Sequence, residues 1–197
     1  NATKIGRQAV VESPDWYLNA MVGASCTAVY GLHVAPVFVH GGSRWRIQMP
    51  GWRMLDGAIA FGWNQLVKEE AKYYLPTMIK SSPLTIPKTD PKHKGGTEQV
   101  KDSRFYGKGR IAIDMKNYNF QTQFMDGLVR SWRHTADPEL EALLLPSYEL
   151  HLEWVKDCFD PDNDGLYESY INLWPTDNVG YNGGGSVEES AYTYNIL

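Results

Sequence analysis

The side chains best equipped for chemistry crowd toward the C-terminal end of the chain. Asp160, Asp162 and Asp164 stand in a turn closed by Gly165, followed by Glu168, Asp177 and the adjacent pair Glu188 and Glu189. Hydrolysis of a glycosidic bond uses two such carboxyl groups, one protonated to assist the departing oxygen and one ionised to activate water or attack the sugar. Tyr167, Trp174 and Tyr181 are interleaved with these acids. Their rings offer faces for sugar C–H groups and a means of raising one carboxyl's pKa by excluding water. Asp177 is the candidate acid, with Glu168 a catalytic or sugar-contacting carboxylate; the same acids could equally cap helices and bind loop amides. Glu188 and Glu189 would diverge by about 100° on a helix. One would face a cleft while the other caps or meets solvent, and spacing alone does not choose the base.

The alternation Asp160, Asp162, Asp164, Gly165 also matches the first half of a calcium loop, whose oxygens point inward from alternate positions. The twelfth position holds Ile171 rather than a carboxylate. A structural calcium ion and a tight interhelical turn with Asp side chains on backbone amides are therefore both open. A second cluster lies at His40, Arg44, Trp45, Arg46, Trp52 and Arg53, set among glycines. Guanidinium groups there could fork onto hydroxyls or a carboxylate while indoles stack on a sugar; an Arg–Trp stack closing a loop is the plainer use. With Trp174, Tyr181 and Asn182 these residues make up the expected substrate-binding set. His33, His93, His134 and His151 have no neighbour at metal-ligand spacing, and no nucleophile elbow, phosphate loop or dinucleotide fingerprint occurs.

Composition narrows the partners. The 197 residues carry 19 Lys and Arg against 23 Asp and Glu, so the net charge of −4 argues against nucleic acid. No apolar run approaches the roughly 20 residues of a membrane span. An aromatic content of 13%, with seven Trp and twelve Tyr often beside Gly, Asn, Arg or Pro, favours a carbohydrate cleft. Cys26 and Cys158 each sit in a helix-like apolar pattern and read as two buried free thiols sooner than as a disulfide. The chain opens at Asn1 and closes at Leu197 within helical-looking sequence, so the expectation is a piece of a longer protein.

Long helices must position these groups. Ser13-Pro14-Asp15 starts one that runs to about Tyr30 and ends at Gly31. Residues 34–53 read as loop, and apolar spacing predicts a helix from about Met54 to Tyr74, ended by Pro76. Residues 81–118, rich in Pro, Lys, Gly and Thr, read as a surface excursion with one short strand or hairpin around Gly109–Met115. Phe120, Phe124, Leu128 and Trp132 mark a third helix. Asp137-Pro138-Glu139 starts a fourth, interrupted at Pro146. Ser186 with Glu189 matches a capping box for the last. The sum is an all-α domain with long functional loops at one end.

Paired helices joined through Asp160-x-Asp-x-Asp-Gly-Leu-x-Glu168 resemble the six-hairpin, (α/α)6-barrel glycoside hydrolases. In these a turn of this type leads to a loop with a catalytic carboxylate and then a helix opening near Gly-Ser, places filled here by Pro175-Thr176-Asp177 and Gly185-Ser186. The His40–Arg53 stretch is similar to a segment of an uncharacterised six-hairpin group from polysaccharide-degrading bacteria. The resemblance spans about residues 14–80 and 120–197. It implies that residues 1–197 form part of one (α/α)6 catalytic toroid completed by the remainder of the parent barrel. It also implies a periplasmic or extracellular place, and inverting hydrolysis of a poly- or oligosaccharide. The aromatic-Asp-Trp signature of better-known families is not clearly present around Asp177, and the partner carboxylate need not lie within this chain. A polysaccharide lyase with a Tyr or His base and arginines for a uronate, or a non-catalytic carbohydrate-binding domain, are the rival expectations.

Overall fold

The computed structural model describes residues 2–41, 47–48, 50–51, 53–81, 107–113, 118–160, 162–167, 171–172, 180–181 and 187–197. Among them the chain is mostly helical. The helices are α1 (Ala2–Ile5), α2 (Trp16–Gly31), α3 (Asp56–Ala60), α4 (Asn64–Tyr74), α5 (Tyr118–Thr135), α6 (Pro138–Phe159) and α7 (Val187–Ile196). Short strands β1 (His33–Val34), β2 (Val37–His40) and β3 (Ile47–Gln48) form an antiparallel sheet in that order, and β4 (Ile171–Asn172) pairs with β5 (Gly180–Tyr181).

Helix starts follow local chemistry. Asp137 caps α6 by accepting from the N–H groups of Glu139 (2.8 Å) and Leu140 (3.2 Å), and Pro138 occupies the first turn. Asp15, rather than Ser13, caps α2, accepting from Tyr17 N–H at 2.8 Å. Ser13 instead ties the incoming chain to Asn19. Gly31 lies inside α2, which is capped by Leu32.

Three expectations are corrected. The segment 34–53 is not simply loop, because His33 pairs with Phe38 and Val39 with Gln48 around a cis Ala35–Pro36 bond. Val37, Phe38 and Val39 are consecutive and all buried. A strand covered on both faces shows no alternation, so its periodicity was invisible. The helix expected over 54–74 is broken at Gly62 (φ 69°), where Trp63 N–H reaches the Ala58 carbonyl (2.8 Å) and Gly62 N–H the Ile59 carbonyl (3.1 Å). This is the Schellman pattern that a left-handed glycine permits. By contrast α6 runs unbroken through Pro146. An interior proline costs about 3 kcal/mol, but the face bearing Leu140, Leu144, His151, Trp154 and Val155 is buried and holds the helix on its neighbours.

The core joins α3–α6 to the first sheet, with Tyr74 and Phe124 meeting edge to face at 5.4 Å. Within the segment expected as a surface excursion, residues 107–113 return to this core: Arg110 and Ile111 are buried and Ile111 bridges to Met78. Gln121 of α5 clasps them, donating to Gly109 O (2.7 Å) and accepting from Ile111 N–H (2.8 Å). Arg110 lies over the Trp154 ring at 5.6 Å. Cys26 and Cys158 are buried free thiols, as expected. No described helix is long and apolar enough to cross a membrane.

Candidate functional site

The seam between α5 and α7 is polar where most interhelical seams are apolar. From α5 it receives Thr122, Gln123 and Asp126, all buried. The helical period splits α7 into two adjoining faces. Glu189, Thr193 and Ile196 turn inward and are buried, while Glu188, Tyr192 and Asn195 line an open cleft of 570 Å³. Arg53 and Asp126 complete its polar wall.

Each group is held from behind. Gln123 donates to Glu188 Oε1 at 3.2 Å. Asp126 accepts from Arg130 Nε (2.8 Å) on one oxygen and from the Asn195 amide on the other. The same guanidinium reaches across to Asp56, in the first turn of α3, at 2.5 Å. Arg53 adopts a left-handed backbone (φ 56°), uncommon for a residue with a side chain. Its turn is pressed onto α5: a Cβ at Gly51 would meet Phe120 Cα at 2.6 Å, and buried Leu55 lies beside Gly127. Arg53 and Tyr192 hydrogen-bond through their side chains, and that bond, with the phenol's partial charge, raises the arginine's pKa. Burial raises the Tyr192 pKa despite the opposing pull of Arg53.

The two adjacent glutamates thus have opposite surroundings. Glu189 is fully buried with Thr122 beside it, and burial, reinforced by the charge of Glu188, pushes its carboxyl up to about 8. It is enclosed rather than exposed to solvent, and Ser186, the other half of the expected capping box, lies outside the described residues. Glu188 is the carboxylate that a ligand in the cleft can reach. A pair of carboxyls with environments pushed apart is the arrangement from which acid and base roles arise, but enclosure removes Glu189 from direct contact with anything in the cleft.

Of the other expected site residues, Asp177, Glu168, Trp174, Asn182, Arg44, Trp45, Arg46 and Trp52 lie outside the described residues. His40 ends β2, half-buried, paired with Ile47 of β3. Tyr181 belongs to β5, opposite Ile171, so the β4–β5 hairpin brackets the stretch that carries Trp174 and Asp177, and β4 lies against α5. Sequence reasoning missed Asp126, Gln123, Tyr192 and Asn195. A signal existed: Thr122, Asp126 and Arg130 recur four apart on α5 beside the apolar row, and Glu188, Tyr192 and Asn195 share one face of α7.

The acidic turn adjoins the same helix. Tyr167 N–H donates to Ser190 Oγ (2.9 Å), and Tyr194 hydroxyl to Gly165 O (3.0 Å). Carboxylate oxygens of Asp160, Asp162 and Asp164 lie within 4.8 Å of one another, a spread compatible with common ligation of calcium at about 2.4 Å per bond. Two of the three also accept backbone N–H groups, Asp160 from Gly165 (3.3 Å) and Asp164 from Leu166 (2.7 Å). The turn therefore holds its own shape while leaving carboxylate oxygens to offer a cation.

Searches of protein-family models, of curated proteins and of solved structures find no match to this chain. The six-hairpin resemblance accordingly rests on the motif residues themselves.

Proposed function

We propose that the chain is part of an (α/α)6 toroid that hydrolyses glycosidic bonds in a poly- or oligosaccharide. The observation that carries this reading is the cleft in which Glu188, held by Gln123, stands with Asp126, Arg53, Tyr192 and Asn195. Both signs of charge, an amide and a phenol ring around an open volume suit a neutral, hydroxyl-rich ligand better than an apolar one. In this reading Glu188 is the ionised carboxylate that activates water. Asp177, from the stretch bracketed by β4 and β5, protonates the leaving oxygen, and attack by water on the face opposite the leaving group inverts the sugar. Asp126, with both oxygens already engaged, positions Asn195 and Arg130. The remaining helices of the ring would come from the rest of the parent barrel. A calcium ion at Asp160, Asp162 and Asp164 would brace the turn that joins α6 to the catalytic stretch, and a periplasmic or extracellular setting belongs to the same reading.

The Arg53–Tyr192 pair favours one alternative, a lyase in which Arg53 neutralises a uronate carboxylate and the tyrosine withdraws the proton. Against it, burial moves Tyr192 away from the ionised state that a base requires.

The test is incubation of the intact protein, Glu188→Gln and Asp177→Asn with a panel of plant and algal polysaccharides, following reducing ends and ultraviolet absorbance together. Reducing ends without absorbance, lost in both variants, are the expected result. Absorbance from an unsaturated uronate would make the protein a lyase. Glycan binding without turnover in any form would leave a carbohydrate-binding domain.

A further inference from the structure

The sixteen residues of α2 carry no charged side chain. Tyr17, Met21, Ala24, Ala28 and Gly31 recur along it at steps of four, three, four and three, and all five are exposed. That is the seam spacing of a helix packed lengthwise on another helix. Trp16, Ala20 and Thr27, which flank the seam, are exposed as well. The opposite side already serves this chain: Cys26 is fully buried and Val29 packs beside Gly57 on the core. A helix face turned to solvent ordinarily carries charge, and one that is apolar all round is ordinarily enclosed.

We propose that this face is an isologous interface with a second copy of the chain, two α2 helices packing antiparallel about a two-fold axis beside Ala24. The argument is self-complementarity. Large residues fill the N-terminal half of the face (Trp16, Tyr17, Met21) and small ones the C-terminal half (Ala24, Thr27, Ala28, Gly31). An antiparallel pair centred on Ala24 sets Tyr17 against the partner's Gly31 and Met21 against the partner's Thr27, and brings small residues together at the axis. Parallel packing would stack bulk on bulk. The same patch on both copies is what two-fold symmetry demands.

Trp16 and Tyr17 are 65% and 67% exposed and Met21 55%. With fully buried aromatics contributing 150–250 Å² each, these three and the exposed small residues of the seam supply on the order of 500 Å² per copy, the size of a weak, reversible dimer interface. Depletion of charge at the centre is likewise the mark of such interfaces. None of these residues lines the cleft.

Sedimentation equilibrium of the intact protein, of Ala24→Glu and of Ala24→Lys tests it. Ala24 is exposed, so neither substitution touches the core, and circular dichroism melts matching the parent's establish that both variants fold. The expected result is a monomer–dimer equilibrium in the parent, weakened by roughly two orders of magnitude in each variant by like charges meeting at the axis. Dimer should return when the two variants are mixed. The proposal is overturned by a monomeric parent, including one whose α2 amides resist hydrogen exchange because other residues of the same protein cover them. It is equally overturned by open-ended aggregation, by a dimer indifferent to both substitutions, or by a mixture no more dimeric than its components.

Discussion

Replacing Glu70 by Gln isolates the cost of keeping one carboxyl in the core. Glu70 lies on α4, fully buried, with Oε2 accepting the Phe38 N–H at 2.9 Å and Oε1 without a partner among the described residues. Burial pushes its pKa from 4.5 up to about 8, the Phe38 bond opposing only in part. Because the folded pKa exceeds the unfolded one, the carboxyl costs nothing below about pH 4.5, where both states are protonated. Above that the unfolded chain gains by ionising while the folded chain does not, so stability is lost progressively until the pH passes about 8. At about 1.4 kcal/mol per pH unit the interval from 4.5 to about 8 amounts to roughly 5 kcal/mol, of which roughly 3 kcal/mol has accrued by pH 7. Glutamine keeps the acceptor for Phe38 and does not titrate. Urea unfolding at about pH 4, 7 and 9 should therefore show parent and Glu70→Gln nearly equal at the first, with the variant more stable by amounts of this order at the others. A difference independent of pH would falsify the reasoning, since it would mean that the carboxyl finds compensation for its charge in the fold.

The remaining expectations concern the site and its supports. Glu188→Gln should lower turnover on a responsive glycan by about 10²-fold or more, the scale of a lost acid or base, with an unchanged thermal melt; near-full activity would remove Glu188 from the mechanism. His151 is held neutral, its pKa lowered to about 3 by burial and then by Arg110, with Nδ1 facing the Gln121 amide at 3.1 Å. Its contribution is intact above pH 6.5 and lost as pH falls toward about 3, so His151→Gln should flatten the acid limb of stability in a tryptophan-fluorescence titration. Gly109 holds φ 86°, and a Cβ there would collide with the Leu150 carbonyl and Trp154 Cβ, so Gly109→Ala should cost at least about 2 kcal/mol in urea unfolding. If calcium braces the acidic turn, millimolar calcium should raise the melting temperature of the parent, not of Asp162→Asn; an equal response in both would exclude that site.

Local chemistry alone determined much of this protein. The apolar rows of α5 and α6, the Asp137–Pro138 start, the charge-free run of α2 and the two thiols follow from periods and propensities that each helix satisfies within itself. The adjacency of Glu188 and Glu189 likewise dictates that they part company on any helix. Tertiary structure decided the rest, because the deciding contacts join residues distant in sequence. Only the docking of α7 on α5 tells which glutamate is enclosed by Thr122 and which meets Arg53 and Tyr192. Only that docking makes Asp126 part of a cleft, when along α5 it reads as one polar residue beside an apolar row. The sheet at 33–48 escaped pattern reading since a strand buried on both faces has no alternation, and Pro146 stayed helical since packing along the whole of α6 outweighs one missing hydrogen bond. Periodicity reports which faces of an element want burial; it does not report which other face they will meet.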